Sequence, residues 1–418
     1  MGPTAVRQPA GAVRRSGLTL FAVTAPGLAH FCALEFSRLG LCPEPPQVEV
    51  GGVEVVGDLH TLYRANLHLR TASRLLVRLG EFHAENFAQL RMRAAQLGWE
   101  HYLHAGQPVD LRVTCHRSRL YHSDAVAERI AVAIGDRLGI CPERHKGDEE
   151  GEGPSVQQVV VRLLQDRCMV SIDSSGSLLH RRGYRLATAK APLRETLAAG
   201  LLLAAGWDGA ESPPLPLLDP FCGSGTIAIE AAQLALQLAP GRQRSFAFLN
   251  WPGFDAQGWQ RLLAEADHRA QLRSVQLADR VLVYASDRDA GAVRAAQANA
   301  ERAGVSAAVA LSCRPLSAVE PPEGLGCVVT NPPYGRRVQG GRDLRNLYAQ
   351  LGHVLRQRCP GWDITLLCGD RLLLGQIGLP LESRLHFNNG GLSVFVARGR
   401  VQPSDRPSLQ AGSETNNV

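Results

Sequence analysis

The sequence predicts an α/β fold in two parts: an α+β first half to about residue 175, then, from Thr196, a parallel sheet covered by helices on both faces. Three observations predict it. The first half mixes short strands with helices in no fixed rhythm, whereas the second alternates strand and helix, the order a parallel sheet requires. The 418 residues are enough for two or three domains at roughly 100 to 200 residues each. Hydrophobic residues at 45% and charged residues at 20% lie near the globular average, which excludes wholesale disorder and a fibrous repeat.

In the first half, Leu18 to Ala25 reads as a strand that turns at Pro26-Gly27 into a helix. That helix carries Leu28, Phe31, Leu34 and Leu39 mostly to one side and stops before Gly40. Val48 to Leu59 alternates as a hairpin around Gly51-Gly52. Val109 to Cys115 is a strand, and Ser123 is the expected N-cap of a helix whose inner face holds Val126, Ile130, Ala133, Ile134 and Leu138. The acidic, glycine-rich run from Lys146 to Pro154 reads as a loop. Val156 to Leu163 and Cys168 to Ile172 form a hairpin turning at Gln165 to Arg167.

After a break near Gly176 to Pro192 come a short buried strand at Leu215 to Leu218 and a helix at Thr226 to Leu238. Val281 to Ser286 is the next strand, and Ala290 to Ala303 the next helix, closed by Gly304. Ala308 to Ser312 and Gly326 to Thr330 continue the series. Leu344, Leu347, Tyr348, Leu351 and Leu355 mark a helix face, and Ile364 to Leu367 and Leu392 to Val396 are late strands. From Gln402 the chain is rich in Ser, Pro and Asn and reads as a disordered tail.

The longest uncharged apolar stretch, Thr196 to Trp207, is too short for the roughly 20 residues of a membrane-spanning helix. The first sixteen residues hold Arg7, Arg14 and Arg15 but no apolar run, so no secretory signal is read and the cytoplasm is the expected address. Ten scattered cysteines without a CxxC pair argue against zinc and a disulfide framework; core thiols and no metal are expected. The net charge of +6 permits a polyanionic partner without demanding one. Of 45 basic residues only Lys146 and Lys190 are lysine, a bias that fits GC-rich coding and weakens the arginine count as a sign of recognition.

Three motifs carry chemistry. In LLDPFCGSGT, Leu217 to Thr226, a strand ends in Asp219 and a loop with Gly223 and Gly225 leads into a helix; glycines let backbone approach a ligand at the carboxyl end of a strand. No lysine follows, and Asp219 repels phosphate while suiting a cationic ligand. In YASDRDAGAV, Asp287 ends the next strand, where a carboxylate can accept both hydroxyls of a ribose; Asp289 reads as a helix N-cap. In TNPPYG, Thr330 to Gly335, two prolines fix the backbone and leave acceptors around Asn331 and Pro332 for an exocyclic amine, with Tyr334 offering a face to a base. A Gly-rich connector with a solvated Asp and a plain Asn-Pro turn are the bland alternatives for the first and third motifs.

DPFCGSGT, SDRD and NPPYG in this order resemble a class I S-adenosylmethionine-dependent methyltransferase of the amino-methylating kind. FAVTAPGLAHFCALEFSRLGL, VTCHRSRLYHSDAVAERIAVAIG, LLHRRGYRLATAKAPLRETLAAGLL, RSFAFLNWPGFDAQGW and NNGGL extend the likeness over roughly Leu18 to Arg400. Together they resemble the THUMP-domain methyltransferases, in particular the bacterial group that makes N2-methylguanosine in large-subunit ribosomal RNA. The resemblance implies a ferredoxin-like subdomain at 18–68, a THUMP RNA-binding domain at 69–175, a linker at 176–195, a Rossmann-like methyltransferase domain at 196–400 and a tail at 401–418. It implies S-adenosylmethionine as cofactor, held by Asp219, Phe221, Gly223, Gly225, Thr226 and Asp287, with Asn331, Pro332, Pro333 and Tyr334 as the target-base loop. The sequence departs from that pattern at Arg314, where an acid near the adenine is usual, and at Arg336, where Glu is usual.

Methyl transfer from a sulfonium needs positioning more than a protein nucleophile. On that reading the partner is RNA, 23S ribosomal RNA first and transfer RNA second, with no membrane. Contacts are expected from Arg112, Arg117, Arg119 and Arg129 beside His116 and His122, and from Arg181, Arg182 and Arg185 at the hinge. A transfer-RNA guanine-N2 enzyme, an adenine-N6 DNA methyltransferase and a non-catalytic RNA-binding assembly factor remain the alternatives.

Overall fold

Twelve residues from Ala72 to His83 hold the first half of the protein together. The structure, a computed structural model, describes residues 17–145, 156–186, 193–211, 214–278, 280–334, 344–389 and 391–402. Its first half runs β1 (Leu18–Thr24), α1 (Ala29–Arg38), β2 (Gln47–Glu49), β3 (Gly52–Gly57), α2 (Leu59–His68), β4 (Ala72–His83), α3 (Phe87–Ala94), β5 (Val109–His116), α4 (Ser123–Leu138), β6 (Arg144–His145), β7 (Gln157–Leu164) and β8 (Arg167–Asp173). Among the described residues these strands form one sheet in the order β2-β3-β1-β4-β8-β7-β5-β6. β4 pairs antiparallel with β1 on one side and with β8 on the other, Leu76 opposite Asp173. The ferredoxin-like part and the part that follows it therefore share one sheet. The acidic loop expected at Lys146 to Pro154 lies outside the described residues, as does all but the start of the tail.

Local chemistry explains two departures from the sequence reading. α1 buries Cys32, Glu35 and Phe36, while Phe31 and Leu34 are only half-buried. Glu35 turns inward because its carboxylate accepts the Arg70 and Thr71 backbone N–H groups at 2.8 and 3.0 Å and the Thr71 hydroxyl, capping the approach to β4. At the start of α4 the N-cap position falls on His122, whose side chain makes no capping bond, and Ser123 is the first helical residue.

The second half runs α5 (Glu195–Ala205), β9 (Leu217–Asp219), α6 (Thr226–Ala235), α7 (Ala256–Gln276), β10 (Val283–Asp287), α8 (Ala290–Arg302), β11 (Val309–Cys313), β12 (Cys327–Thr330), α9 (Leu344–Arg358), β13 (Asp363–Cys368), α10 (Arg371–Gln376), β14 (Glu382–Asn389) and β15 (Leu392–Arg400). The strand order is β11-β10-β9-β12-β13-β15-β14. The first five pair in parallel, and β14–β15 closes the edge as an antiparallel hairpin. From β9 the chain moves outward to β10 and β11, then returns to the other side of β9 as β12. That reversal opens a crevice at the carboxyl ends of β9, β10 and β12, where open α/β sheets bind ligands. No described helix is long and apolar enough to cross a membrane, and all ten cysteines are free thiols.

The two halves interlock. Phe246, Phe248, Trp251 and Trp259 follow α6 in the chain but pack into the core of the first half. Phe248 stacks on Tyr63 with ring centroids 4.7 Å apart, and the Trp251 indole donates to Gln157 Oε1 at 2.8 Å. Arg244 gathers the carbonyls of Ser175, Ser177 and Leu178. The span at 176–195 is packed where it is described: Leu179, Arg182 and Tyr184 are buried. Glu230 of α6, fully buried, meets Arg70 at 3.4 Å and Arg182 at 3.5 Å, and the Tyr184 hydroxyl donates to it at 3.3 Å. Burying three charges is tolerable only because each is met by an opposite charge or by carbonyls.

Candidate functional site

Asp219 closes β9 with its side chain almost wholly buried. Its Oδ1 accepts the Thr330 hydroxyl at 2.6 Å and the Phe221 N–H at 3.2 Å, while Oδ2 is buried with no hydrogen-bond partner among the described residues. Loss of hydration pushes its pKa up from 3.8 to about 7, and nearby Asp287 adds to the rise. Asp287, at the end of β10, accepts the Gly223 N–H at 3.0 Å and the Asp289 N–H at 3.0 Å, so it braces the glycine loop from the neighbouring strand. Asp289 caps α8, accepting from Gly291 and Ala292.

The two glycines differ in what they make possible. Gly223 has φ +52° and a Cβ there would meet no atom within 4 Å, so the backbone faces open space. Gly225, at φ +87°, would set a Cβ 3.0 Å from the Ala296 side chain, so it serves the close packing of α6 on α8. Thr226, first in α6, accepts from Arg185 at 2.9 Å, and Asn299 of α8 donates to the Ser224 carbonyl at 3.1 Å. The loop is thus held from three sides while one face stays open. A buried, unpartnered carboxylate oxygen beside an open glycine fits S-adenosylmethionine, whose methionine end carries positive charge.

Asn331 to Tyr334 leave β12 at the same end of the sheet. The buried Asn331 Oδ1 has no partner among the described residues. Pro332 is buried, and the Pro333 carbonyl accepts the Tyr348 hydroxyl of α9 at 3.3 Å. The Cys368 thiol at the end of β13 lies 3.4 Å from that hydroxyl, donating to it. The Tyr334 ring lies on Gly369, where a Cβ would come within 2.9 Å of it. In the sequence Tyr348 reads as a helix-face residue and Cys368 as a core thiol; nothing in their spacing signals that they meet the loop. Gly335 and Arg336 lie outside the described residues. Arg314 follows β11, its N–H bonded to the Asp287 carbonyl at 3.0 Å and its guanidinium paired with Glu320 at 2.8 Å.

The expected RNA-contacting arginines divide. Arg117 and Arg119 are exposed, Arg119 pairing with Glu85 beside His83 and Asp166, the one described group with metal-capable side chains close together. Arg129 lies half-buried over the Phe87 ring, Arg112 pairs with Asp110 at 2.7 Å, and Arg181 is exposed. Arg182 and Arg185, expected to contact RNA, turn inward instead. Arg182 is buried against Glu230 and donates to the Leu179 and Arg70 carbonyls at 2.6 Å each. Arg185 pairs with Glu195 at 2.9 Å and braces Thr226. Both guanidinium groups serve the interface and the loop rather than a surface.

A family model described as RMKL-like, methyltransferase domain matches residues 182–395, and one described as RlmL ferredoxin-like domain matches residues 19–76. The chain is 36% identical over 381 residues to slr0064 of Synechocystis sp., a candidate RNA methyltransferase, covering 90% of this chain and 95% of that one. It is 35% identical over 402 residues to the ribosomal RNA large subunit methyltransferase K/L of Psychromonas ingrahamii, covering 94% of this chain and 51% of the relative. The chain spans about half the length of the K/L relatives it matches. Among solved structures, SMU.472, a candidate methyltransferase complexed with SAH, superposes with TM-score 0.80 at 29% identity, covering 94% of this chain and 99% of that one. A Listeria monocytogenes protein described as a predicted N6-adenine-specific DNA methylase gives TM-score 0.79 at 31% identity, covering 91% and 96%.

Proposed function

The chain belongs to the RMKL-like methyltransferase family, and from that membership we propose that it methylates the exocyclic N2 amine of a guanosine in RNA, with 23S ribosomal RNA as the substrate class. Its cofactor is S-adenosylmethionine. When bound, that cofactor supplies the methyl group and the leaving group. The protein's part is to bind, orient and exclude water. Asp219 Oδ2 offers the cationic end a counter-charge, and Asp287, beside the loop, presents a carboxylate to the ribose. Asn331 Oδ1 accepts an N–H of the target amine and holds its nitrogen toward the crevice; Tyr334, backed by Gly369, stacks on the extruded base. The proton leaves to water after transfer. Phosphate and shape contacts fall to the first half, through Arg117, Arg119 and Arg129, and to Arg181 at the hinge, and such a substrate puts the protein in the cytoplasm.

The observation that carries this reading is Asn331 Oδ1, a buried acceptor with no partner among the described residues at the end of β12. Such an atom costs free energy unless a ligand donor meets it. Adenine N6 is the second reading, favoured by the Listeria protein's description. Methylation of 23S ribosomal RNA, transfer RNA and duplex DNA with labelled cofactor, followed by nucleoside mass spectrometry, separates the two. N2-methylguanosine from RNA is expected; N6-methyladenosine, or product from DNA alone, overturns the proposal. In the same assay Asn331→Ala should slow single-turnover transfer by roughly 30- to 1000-fold with cofactor affinity unchanged.

A further inference from the structure

We propose that Thr330 is a positioning residue for the cofactor, its hydroxyl fixing the Asp219 carboxylate so that Oδ2 faces the crevice. This rests on the methyltransferase reading above and adds to it a residue outside the motif's expected contacts.

Thr330 ends β12, next to β9 in the sheet, and is fully buried. It follows Val328 and Val329, both fully buried, and valine would fill the same volume with better burial. A buried hydroxyl persists at such a point only if it is hydrogen-bonded. Its bond goes to Asp219 Oδ1 at 2.6 Å, the oxygen that also accepts the Phe221 N–H at 3.2 Å. With two donors on one oxygen, the carboxylate plane is fixed and the other oxygen is left buried and unpartnered. Thr330 also immediately precedes Asn331, so one strand end carries both the cofactor carboxylate's support and the target acceptor.

Among the described residues, the groups facing Asp219 are Thr330 from β12, the Phe221 N–H, the Cys222 thiol of the same loop, and Asp287 from β10. Thr330 and the Phe221 N–H favour the ionised carboxyl; burial and Asp287 oppose it. A cationic ligand binds the ionised form, so removing the hydroxyl should move the pH at which affinity fades upward, an effect that a purely packing role would not produce.

The test is calorimetric binding of S-adenosylmethionine to the full-length protein and to Thr330→Val and Thr330→Ser, between about pH 5.5 and about pH 8.5, with melting temperatures in parallel. For the wild type, affinity should hold above a break near the Asp219 value of about 7 and fall about tenfold per pH unit below it. In Thr330→Val the break should lie about one pH unit higher, with roughly tenfold weaker binding near neutrality. Thr330→Ser, which keeps the hydroxyl, should restore the wild-type break. An unshifted break in the Val variant, or a Ser variant as impaired as Val, would overturn the assignment. A wild type that binds the cofactor at no pH would remove the methyltransferase reading itself.

Discussion

Replacing Asp219 by Asn should make the cofactor-free protein more stable at neutral and alkaline pH while abolishing cofactor binding. The amide suits the site as it stands: its oxygen can keep the Thr330 and Phe221 donors, and its nitrogen takes the place of the unpartnered Oδ2. What disappears is the charge. Folding moves this carboxyl from the ordinary 3.8 to about 7, desolvation being the first cause. At about 1.4 kcal/mol per pH unit, the ionised carboxylate costs the fold at most about 4 kcal/mol. The folded state binds the proton more tightly than the unfolded one, so Asp219 lowers stability progressively as pH rises from about 4 to about 7, and the full cost is present above that window. Differential scanning fluorimetry across this range, with and without S-adenosylmethionine, is the assay. At about 2 to 4 °C per kcal/mol for a domain of this size, the Asn variant should melt several degrees above wild type near pH 8 and close to it near pH 4. Ligand at about one hundred times its Kd should stabilise wild type by about 2.7 kcal/mol and leave the variant unmoved. A variant that melts lower at alkaline pH, or differs from wild type by the same amount at every pH, would show that Asp219 is not a strained charge held for a ligand.

Three further outcomes follow from the geometry. In Gly223→Val the Cβ meets no atom within 4 Å but the residue is strained at φ +52°; calorimetry should show cofactor affinity reduced by well over tenfold, with a stability loss of only about 1 to 3 kcal/mol. Arg182→Ala leaves Glu230 with one arginine instead of two and should destabilise the protein by about 3 to 5 kcal/mol in a thermal or denaturant melt, whereas Arg117→Ala, exposed, should alter RNA affinity and its salt dependence but not the melt. Tyr348→Phe removes the hydroxyl donated to the Pro333 carbonyl; single-turnover transfer should slow by roughly 3- to 10-fold while cofactor affinity stays unchanged.

The crevice was readable because its residues sit where the backbone pattern breaks: an apolar strand ending in an acid, glycines beside it, and an Asn-Pro-Pro step after two valines. Strands β9, β10 and β12 each announced themselves in that way. β4 did not. Arg74 to Val77 are buried in a row, across both faces, so that stretch lacks the alternation that betrays a half-buried strand. α7 was missed for the opposite reason. It is 21 residues long but buries only the narrow stripe Trp259, Leu262, Ala266, Ala270 and Arg273 on an otherwise polar surface. The arginines show the limit most sharply. Arg181 and Arg182 are adjacent in the sequence, yet one is exposed and the other buried on a glutamate 48 residues away. The only trace of that partner is Glu230 itself, a lone acid in the apolar run TIAIEAAQLA, and a buried acid there implies an unseen cation without saying which.

The shared strand β4 also dictates an order of events at the ribosome. Leu76 must wait for Asp173 before its second edge is paired, and the core beneath it waits longer, for Phe246, Phe248 and Trp259 to emerge. At about 5 to 20 residues per second, the interval between synthesis of β4 and of Trp259 is roughly 10 to 40 seconds. Until Asp173 emerges, about the first half of that interval, the nascent amino-terminal portion presents a strand with an open edge, the kind of surface that chaperones cover and that pairs wrongly with neighbouring chains, and its core face stays uncovered to the end. Translation speed, and not only sequence, should therefore govern the yield of folded protein: slowing the ribosome between β4 and α7 would prolong the exposed state instead of assisting a first domain to fold ahead of the second.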